Sequence, residues 1–164
     1  MGEVVRAMRG RISLELPSDP RTVSLCRHVL RSFLQDLAID ETRLDDIELA
    51  ISEAAGNVVR HAYDCPDHPY RVILTSFADR VCLEVSDQGI GFNRADVPAP
   101  DTEELGGRGL WLIEQIADVT TISTLPGGGC RLEAEFRLLH PMSLPHTAPA
   151  PAWSALEPPG WRAD

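Results

Sequence analysis

Lysine is absent from this chain of 164 residues, and all 15 of its basic residues are arginine. That excludes any mechanism built on a lysine nucleophile or on the lysine of a Walker-type phosphate loop. Positive charge is scarce overall. Asp and Glu together number 25, and the formal net charge is -10, so the basic footprint that nonspecific nucleic-acid or anionic-membrane binding needs is missing. Cysteine is sparse and scattered: Cys26, Cys65, Cys82 and Cys130 form no CxxC pair. They suggest neither a zinc site nor a disulfide framework and read as small buried hydrophobes. No apolar run approaches the roughly 20 residues of a membrane span. The opening MGEVVRAMRGRISLEL has no continuous apolar segment and no small-residue cleavage site, so it does not read as a secretory signal and the expected location is the cytoplasm.

What is present suits one globular domain. Hydrophobic residues make up 43% and charged residues 24%, enough apolar material for a core. Residues 11–16 (RISLEL) alternate apolar and polar, a strand with one wet face. Pro17-Ser18-Asp19-Pro20 breaks it and supplies caps for a helix running to about Leu37. Asp40 to Thr42 caps a second helix running to about Tyr63, with Leu44, Ile47, Ile51, Ala54, Val58 and Ala62 at helical spacing. Tyr70–Phe77 and Arg80–Ser86 read as a hairpin about Ala78-Asp79. A third helix is expected from about Arg108 to Ala117 and a fourth strand from about Val119 to Leu125. Pro126-Gly127-Gly128-Gly129 makes a turn, and Cys130–Leu138 alternates cleanly as a fifth strand. These elements predict an α+β two-layer sandwich, a mixed, largely antiparallel sheet with helices on one face. The expected division is an N-terminal extension at 1–9, one domain at 10–138 and a Pro-rich, disordered tail at 139–164.

Three places carry polar chemistry. On the second helix, at about 100° per residue, Asn57 lies near 40° from Glu53, Arg60 near -20° and His61 near 80°. They form a polar band along one edge of the apolar stripe: a base, a hard oxygen ligand and two phosphate partners. A solvated helix face would look the same. The second place is Asp87-Gln88-Gly89-Ile90-Gly91-Phe92 at the end of a strand, which alone is also an ordinary turn. It is not a Rossmann fingerprint, because the strand belongs to a hairpin and no helix starts at Gly91. The third is Gly106-Gly107-Arg108-Gly109 entering the third helix, where backbone N–H groups and the helix dipole favour anions; a flexible loop ending in a helix is the plainer alternative.

Their order is the more informative signal. A helix bearing ExxxN, a strand-end DxGxG and a GGxG loop opening a helix resemble the N, G1 and G2 boxes of the GHKL ATPases. SEAAGNVVRHAY, DQGIGF and GGRGLWLI resemble the bacterial anti-sigma-factor serine/threonine kinases of that superfamily, over roughly residues 10–138. The resemblance implies the Bergerat, histidine-kinase-like ATPase fold, with ATP and Mg²⁺ as cofactors. It implies Glu53 as catalytic base and Asn57 as Mg²⁺ ligand, with Asp87 accepting from the adenine amino group. Gly89 and Gly91 then line the adenine site, and Gly106, Gly107 and Gly109 hinge a lid over the phosphates. Arg60 stands where many relatives have Lys, His61 where this subfamily has His, and Arg108 joins the phosphate contacts. Cys130 departs from the Thr of many relatives.

The implied partners are an anti-anti-sigma protein, phosphorylated on serine or threonine, and a sigma factor held in alternation, with homodimers formed through the sheet and first helix. No direct nucleic-acid contact is expected. A non-catalytic, nucleotide-dependent binding module of the same fold is the alternative, against which the base at Glu53 argues. A histidine kinase would need a phospho-accepting helical hairpin ahead of residue 19, and a gyrase-type ATPase a further transducer domain. The segment 92–108, acidic and glycine-hinged, reads as the lid.

Overall fold

Strict alternation produces the sheet. In β3 (Arg80–Asp87), Val81, Leu83, Val85 and Asp87 are buried while Cys82, Glu84 and Ser86 are half-buried on the other face. The same period of two runs through β1 (Met8–Pro17), β2 (Pro69–Phe77), β4 (Val119–Thr124) and β5 (Cys130–Arg137), interrupted in β2 where Ile73 is buried along with Val72 and Leu74. Three helices cover the apolar face: α1 (Pro20–Gln35), α2 (Glu41–His61) and α3 (Arg108–Ile116). The computed structural model describes residues 8–35, 37, 39–61, 68–90 and 108–138. The proposed tail and most of the proposed lid lie outside the described residues. None of the described helices is long and apolar enough to cross a membrane.

Both long helices start on the expected caps. Asp19 Oδ1 accepts from the Arg21 amide at 2.8 Å, with Pro20 in the first helical position, where its missing N–H costs nothing. The Arg21 guanidinium and amide together hold the Asp19 carboxyl down to about 2. Asp40 Oδ1 accepts from the Arg43 amide at 3.0 Å and opens α2 in the same way.

The sheet order is β1-β2-β3-β5-β4, and every neighbouring pair is antiparallel. This corrects the expectation of a mixed sheet. β3 and β4 do run in the same sense, but β5 folds back from the glycine turn and takes the slot between them, so no parallel ladder forms among the described strands. A second correction concerns the N-terminal boundary. Met8 and Arg9, assigned to an extension, belong to β1, because β2 reaches Phe77 and Met8 pairs with it across an irregularity between Met8 and Gly10.

The core is one cluster between the sheet and the helices. Leu30 and Leu34 from α1, Ile47 and Ile51 from α2, Ile113 from α3, and Leu74, Val81 and Phe136 from the sheet are essentially inaccessible. Burying each such side chain contributes about 1.5–3 kcal/mol relative to exposure. The opposite sheet face is polar, with ion pairs Glu15–Arg71 at 3.3 Å, Glu84–Arg131 at 3.4 Å and Glu135–Arg80 at 3.5 Å.

Arg43 sets the orientation of the helical layer. Its guanidinium donates to the Ile116 carbonyl at the end of α3 (2.9 Å) and to the Arg137 carbonyl at the end of β5 (2.9 Å). It also pairs with Asp46 and Asp118 and lies over the Phe136 ring. Arg137 is opposite Arg80, the first residue of β3. The start of α2 is therefore fastened near the start of β3, and its later turns run toward the end of β3. α3 lies antiparallel to α2, with Ile116 near Arg43 and Gly109 against Glu53.

Candidate nucleotide site

Two clusters lie toward the end of the sheet where β3 stops. The first is built on Asp87. Its place in the inward-facing row of β3 aims the carboxylate into the covered face, and it is only 6% exposed. It accepts from the Gly89 amide at 2.8 Å and from the backbone amide of Cys130. Burial pushes the Asp87 carboxyl above the usual carboxylate range, and the two amides partly offset that rise. A buried carboxylate held by two backbone donors retains free lone pairs for a further N–H donor. The neighbouring Cys130 thiol is pushed up to about 11 by burial and by the Asp87 charge, so it stays protonated.

The glycine turn between β4 and β5 belongs to this cluster. The hairpin closes as expected, through Gly128 N–H to Leu125 O and Leu125 N–H to Gly129 O, both at 3.1 Å. Its second function was not read from the sequence. Gly129 has φ +85°, and a Cβ there would overlap the Asp87 carbonyl oxygen and lie 2.7 Å from Gln88 Cα. Gly128 sits close to the Gly89 carbonyl in the same way. The turn is pressed against the Asp87-Gln88-Gly89 backbone and props it. The signal was three glycines in a row, more than a hairpin turn requires.

The second cluster lies on α2 and the start of α3. Arg60 folds back along the helix, its Nη2 donating to Asn57 Oδ1 at 3.1 Å and lying 3.9 Å from Glu53 Oε2. Glu53 reaches across to α3, where a Cβ on Gly109 would overlap Oε2. The expected band thus forms for Glu53, Asn57 and Arg60, and Gly109 joins it. His61 is exposed at the last position of α2, and Arg108 is exposed at the first position of α3. Gly89 is half-buried beside Asp87. Gly91, Gly106 and Gly107 lie outside the described residues.

These residues suit a magnesium nucleotide. Asp87 is a shielded acceptor for an exocyclic amine. The first turn of α3 offers amides and the positive end of its dipole to phosphate. Asn57 is half-buried and offers a single hard oxygen, Oδ1. Among the described residues no three His, Cys, Asp or Glu side chains gather as a metal cage. One protein oxygen suits Mg²⁺, which usually takes most of its ligands from phosphates and water.

A layer of helices on an antiparallel sheet, with a buried strand-end carboxylate, a Glu–Asn helix and a third helix with glycine in its first turn, has the parts of a nucleotide-binding ATPase domain. The sequence pattern of the histidine kinase-like ATPase domain matches residues 16–132, and the chain belongs to that family. Within it the chain groups with serine-protein kinases. It is 31% identical to serine-protein kinase RsbW of Listeria monocytogenes serovar 1/2a over 122 residues, covering 68% of this chain and 78% of that one. It is 32% identical to serine-protein kinase RsbW of Staphylococcus epidermidis over 123 residues, covering 68% and 77%. Two solved structures share the fold. The RsbU and RsbW domains of Rv1364c from Mycobacterium tuberculosis superpose with a TM-score of 0.60 at 22% identity, over 80% of this chain and 33% of that one. The SiaB–SiaC complex from Pseudomonas aeruginosa gives 0.62 at 15% identity, over 80% and 90%.

Proposed function

We propose that this chain is an ATP-dependent protein serine/threonine kinase and anti-sigma factor working in a partner-switching circuit. The observation that carries the reading is the Glu53 carboxylate, set over the first turn of α3 and beside Asn57 and Arg60. A pure nucleotide binder has no need of a base at that point.

Each residue then has a task. Asp87 accepts from the adenine amino group, and Gly89 lets the backbone pass close to the ring. The amides opening α3, with Arg108 and Arg60, hold phosphate oxygens, and His61 lies at the rim of the same group. Asn57 Oδ1 holds Mg²⁺. When bound, Mg²⁺-ATP supplies the transferable phosphoryl group and the cation that spreads its charge. Glu53 takes the proton from the hydroxyl of the protein substrate as that oxygen bonds to the γ-phosphorus and the bond from the γ-phosphorus to the leaving ADP breaks. Gly91, Gly106 and Gly107 complete the adenine and phosphate loops, with 92–108 as a lid. The substrate is an anti-anti-sigma protein and the alternative partner a sigma factor, so the chain regulates transcription from the cytoplasm without touching nucleic acid. It acts as a homodimer. The ATP-binding unit is 10–138, extended to Met8 by β1.

The test is transfer of labelled γ-phosphate from ATP to the co-purifying antagonist, alongside nucleotide titration. Glu53→Ala should bind ATP almost normally and phosphorylate ~10²–10⁴-fold more slowly, the usual worth of a general base. Asn57→Ala should weaken both. A wild-type protein that binds ATP and phosphorylates no partner would favour the binding module instead.

A further inference from the structure

Arg60 and Gly56 form a device that the phosphate-contact role of Arg60 does not require. The Arg60 side chain does not extend into solvent past the end of α2. It turns back toward the helix N-terminus, the direction in which long helical side chains lean, and passes over residue 56. That residue is glycine, buried inside a 21-residue helix five residues before its end, where alanine would normally be favoured. The guanidinium packs over the spot a side chain there would take. A Cβ at position 56 would lie 3.3 Å from Arg60 Nη1, 3.4 Å from Nη2 and 3.5 Å from Cζ. The missing methyl is the seat on which the guanidinium rests.

From that seat one nitrogen serves two oxygens. Nη2 donates to Asn57 Oδ1 at 3.1 Å and stands 3.9 Å from Glu53 Oε2. Asn57 Oδ1 is the oxygen assigned above to Mg²⁺. A guanidinium and a divalent cation cannot share one amide oxygen at contact distance without strong repulsion. We propose that Arg60, seated on Gly56, is a tethered stand-in for the metal: it holds Asn57 and Glu53 in register in the metal-free site and yields Asn57 to Mg²⁺ when the metal nucleotide enters. The inference rests on the reading of Asn57 as the metal-bearing residue. The Arg60 side chain is 57% exposed, so its stem is free to swing toward phosphate once released.

The consequence is a weakened dependence of nucleotide binding on Mg²⁺. Without metal, Arg60 supplies part of the missing charge; with metal, it must first be displaced. Removing it makes binding depend more steeply on Mg²⁺. The experiment is calorimetric titration of ADP, which avoids turnover, into the full chain in excess MgCl₂ and in EDTA. The quantity read is the factor by which Mg²⁺ tightens ADP. In Arg60→Gln that factor should rise about tenfold over wild type, the size expected for losing charge-assisted contacts. Gly56→Ala keeps the charge and displaces only the seat, and should raise the factor in the same direction by a smaller amount. An equal loss of ADP affinity with and without Mg²⁺ in Arg60→Gln would make Arg60 a plain phosphate contact and overturn the proposal, as would an unchanged factor in both variants. A wild-type chain that binds no ADP under either condition would instead remove the nucleotide-site reading itself, and the proposal with it.

Discussion

Gly129→Ala is the substitution that most directly probes how the glycine turn supports Asp87. Gly127 and Gly129 are two residues apart in the same turn and have nearly the same backbone, φ +90° and +85°. They differ in what a methyl would meet. At Gly127 nothing lies within 4 Å, whereas at Gly129 a Cβ would overlap Asp87 O and approach Gln88 Cα to 2.7 Å and Asp87 C to 2.9 Å. Those neighbours are backbone and cannot rotate away. Gly127→Ala should therefore cost only the strain of a left-handed alanine, about 1–2 kcal/mol. Gly129→Ala carries the same strain and must also push the turn off the end of β3. That breaks the hydrogen bond from the Cys130 backbone N–H to the Asp87 carboxylate, worth about 1.5–3 kcal/mol for a charged acceptor. The expected total is about 2.5–5 kcal/mol, with ADP affinity reduced tenfold or more as Asp87 shifts. Urea unfolding and calorimetry on both variants measure the two quantities. If Gly129→Ala loses no more stability than Gly127→Ala and binds ADP normally, the turn does not prop Asp87 and the reasoning fails.

Asp87→Asn should cost more than tenfold in ATP affinity yet leave the fold as stable or more so near neutral pH, because the buried charge is gone. The sign follows from the raised carboxyl of Asp87. Its contribution to stability is present below the unfolded value of 3.8 and lost as pH rises through the folded one, so the stability advantage of the variant should grow with pH above 3.8 and vanish below it, read by thermal melts across pH. Gly109→Ala should gain up to about 1 kcal/mol from helix propensity. Its methyl displaces the flexible end of Glu53 rather than backbone, so phosphoryl transfer should fall at least tenfold while the melting temperature holds; equal rates would remove the Glu53–α3 contact from the mechanism. Arg43→Met should lose about 2–3 kcal/mol, the worth of its hydrogen bonds to the Ile116 and Arg137 carbonyls and its carboxylate partners. Amide exchange in α3 should quicken in that variant, and unchanged exchange would show that α3 is held in place by other contacts.

Much of the local structure was legible because it depends on neighbours in sequence. The alternation of Val81, Leu83 and Val85, the stripe from Leu44 to Val58 and the caps at Asp19 and Asp40 specify strand and helix within a few residues, through side-chain period and local hydrogen bonds. The band of Glu53, Asn57 and Arg60 was legible for the same reason, since helical spacing alone puts the three on one edge. Sheet order was not. Whether β4 or β5 lies beside β3 depends on which strand captures an open edge after the crossover, and the strand pattern looks the same either way. The props of the site were equally hidden. Gly129 under Asp87, Gly109 beneath Glu53 and Gly56 under Arg60 matter for the side chain they omit, and an omitted side chain acquires meaning only when tertiary folding brings another group within 4 Å of it. The raised carboxyl of Asp87 belongs with them, because burial is a property of the assembled layers and not of the residues DQG.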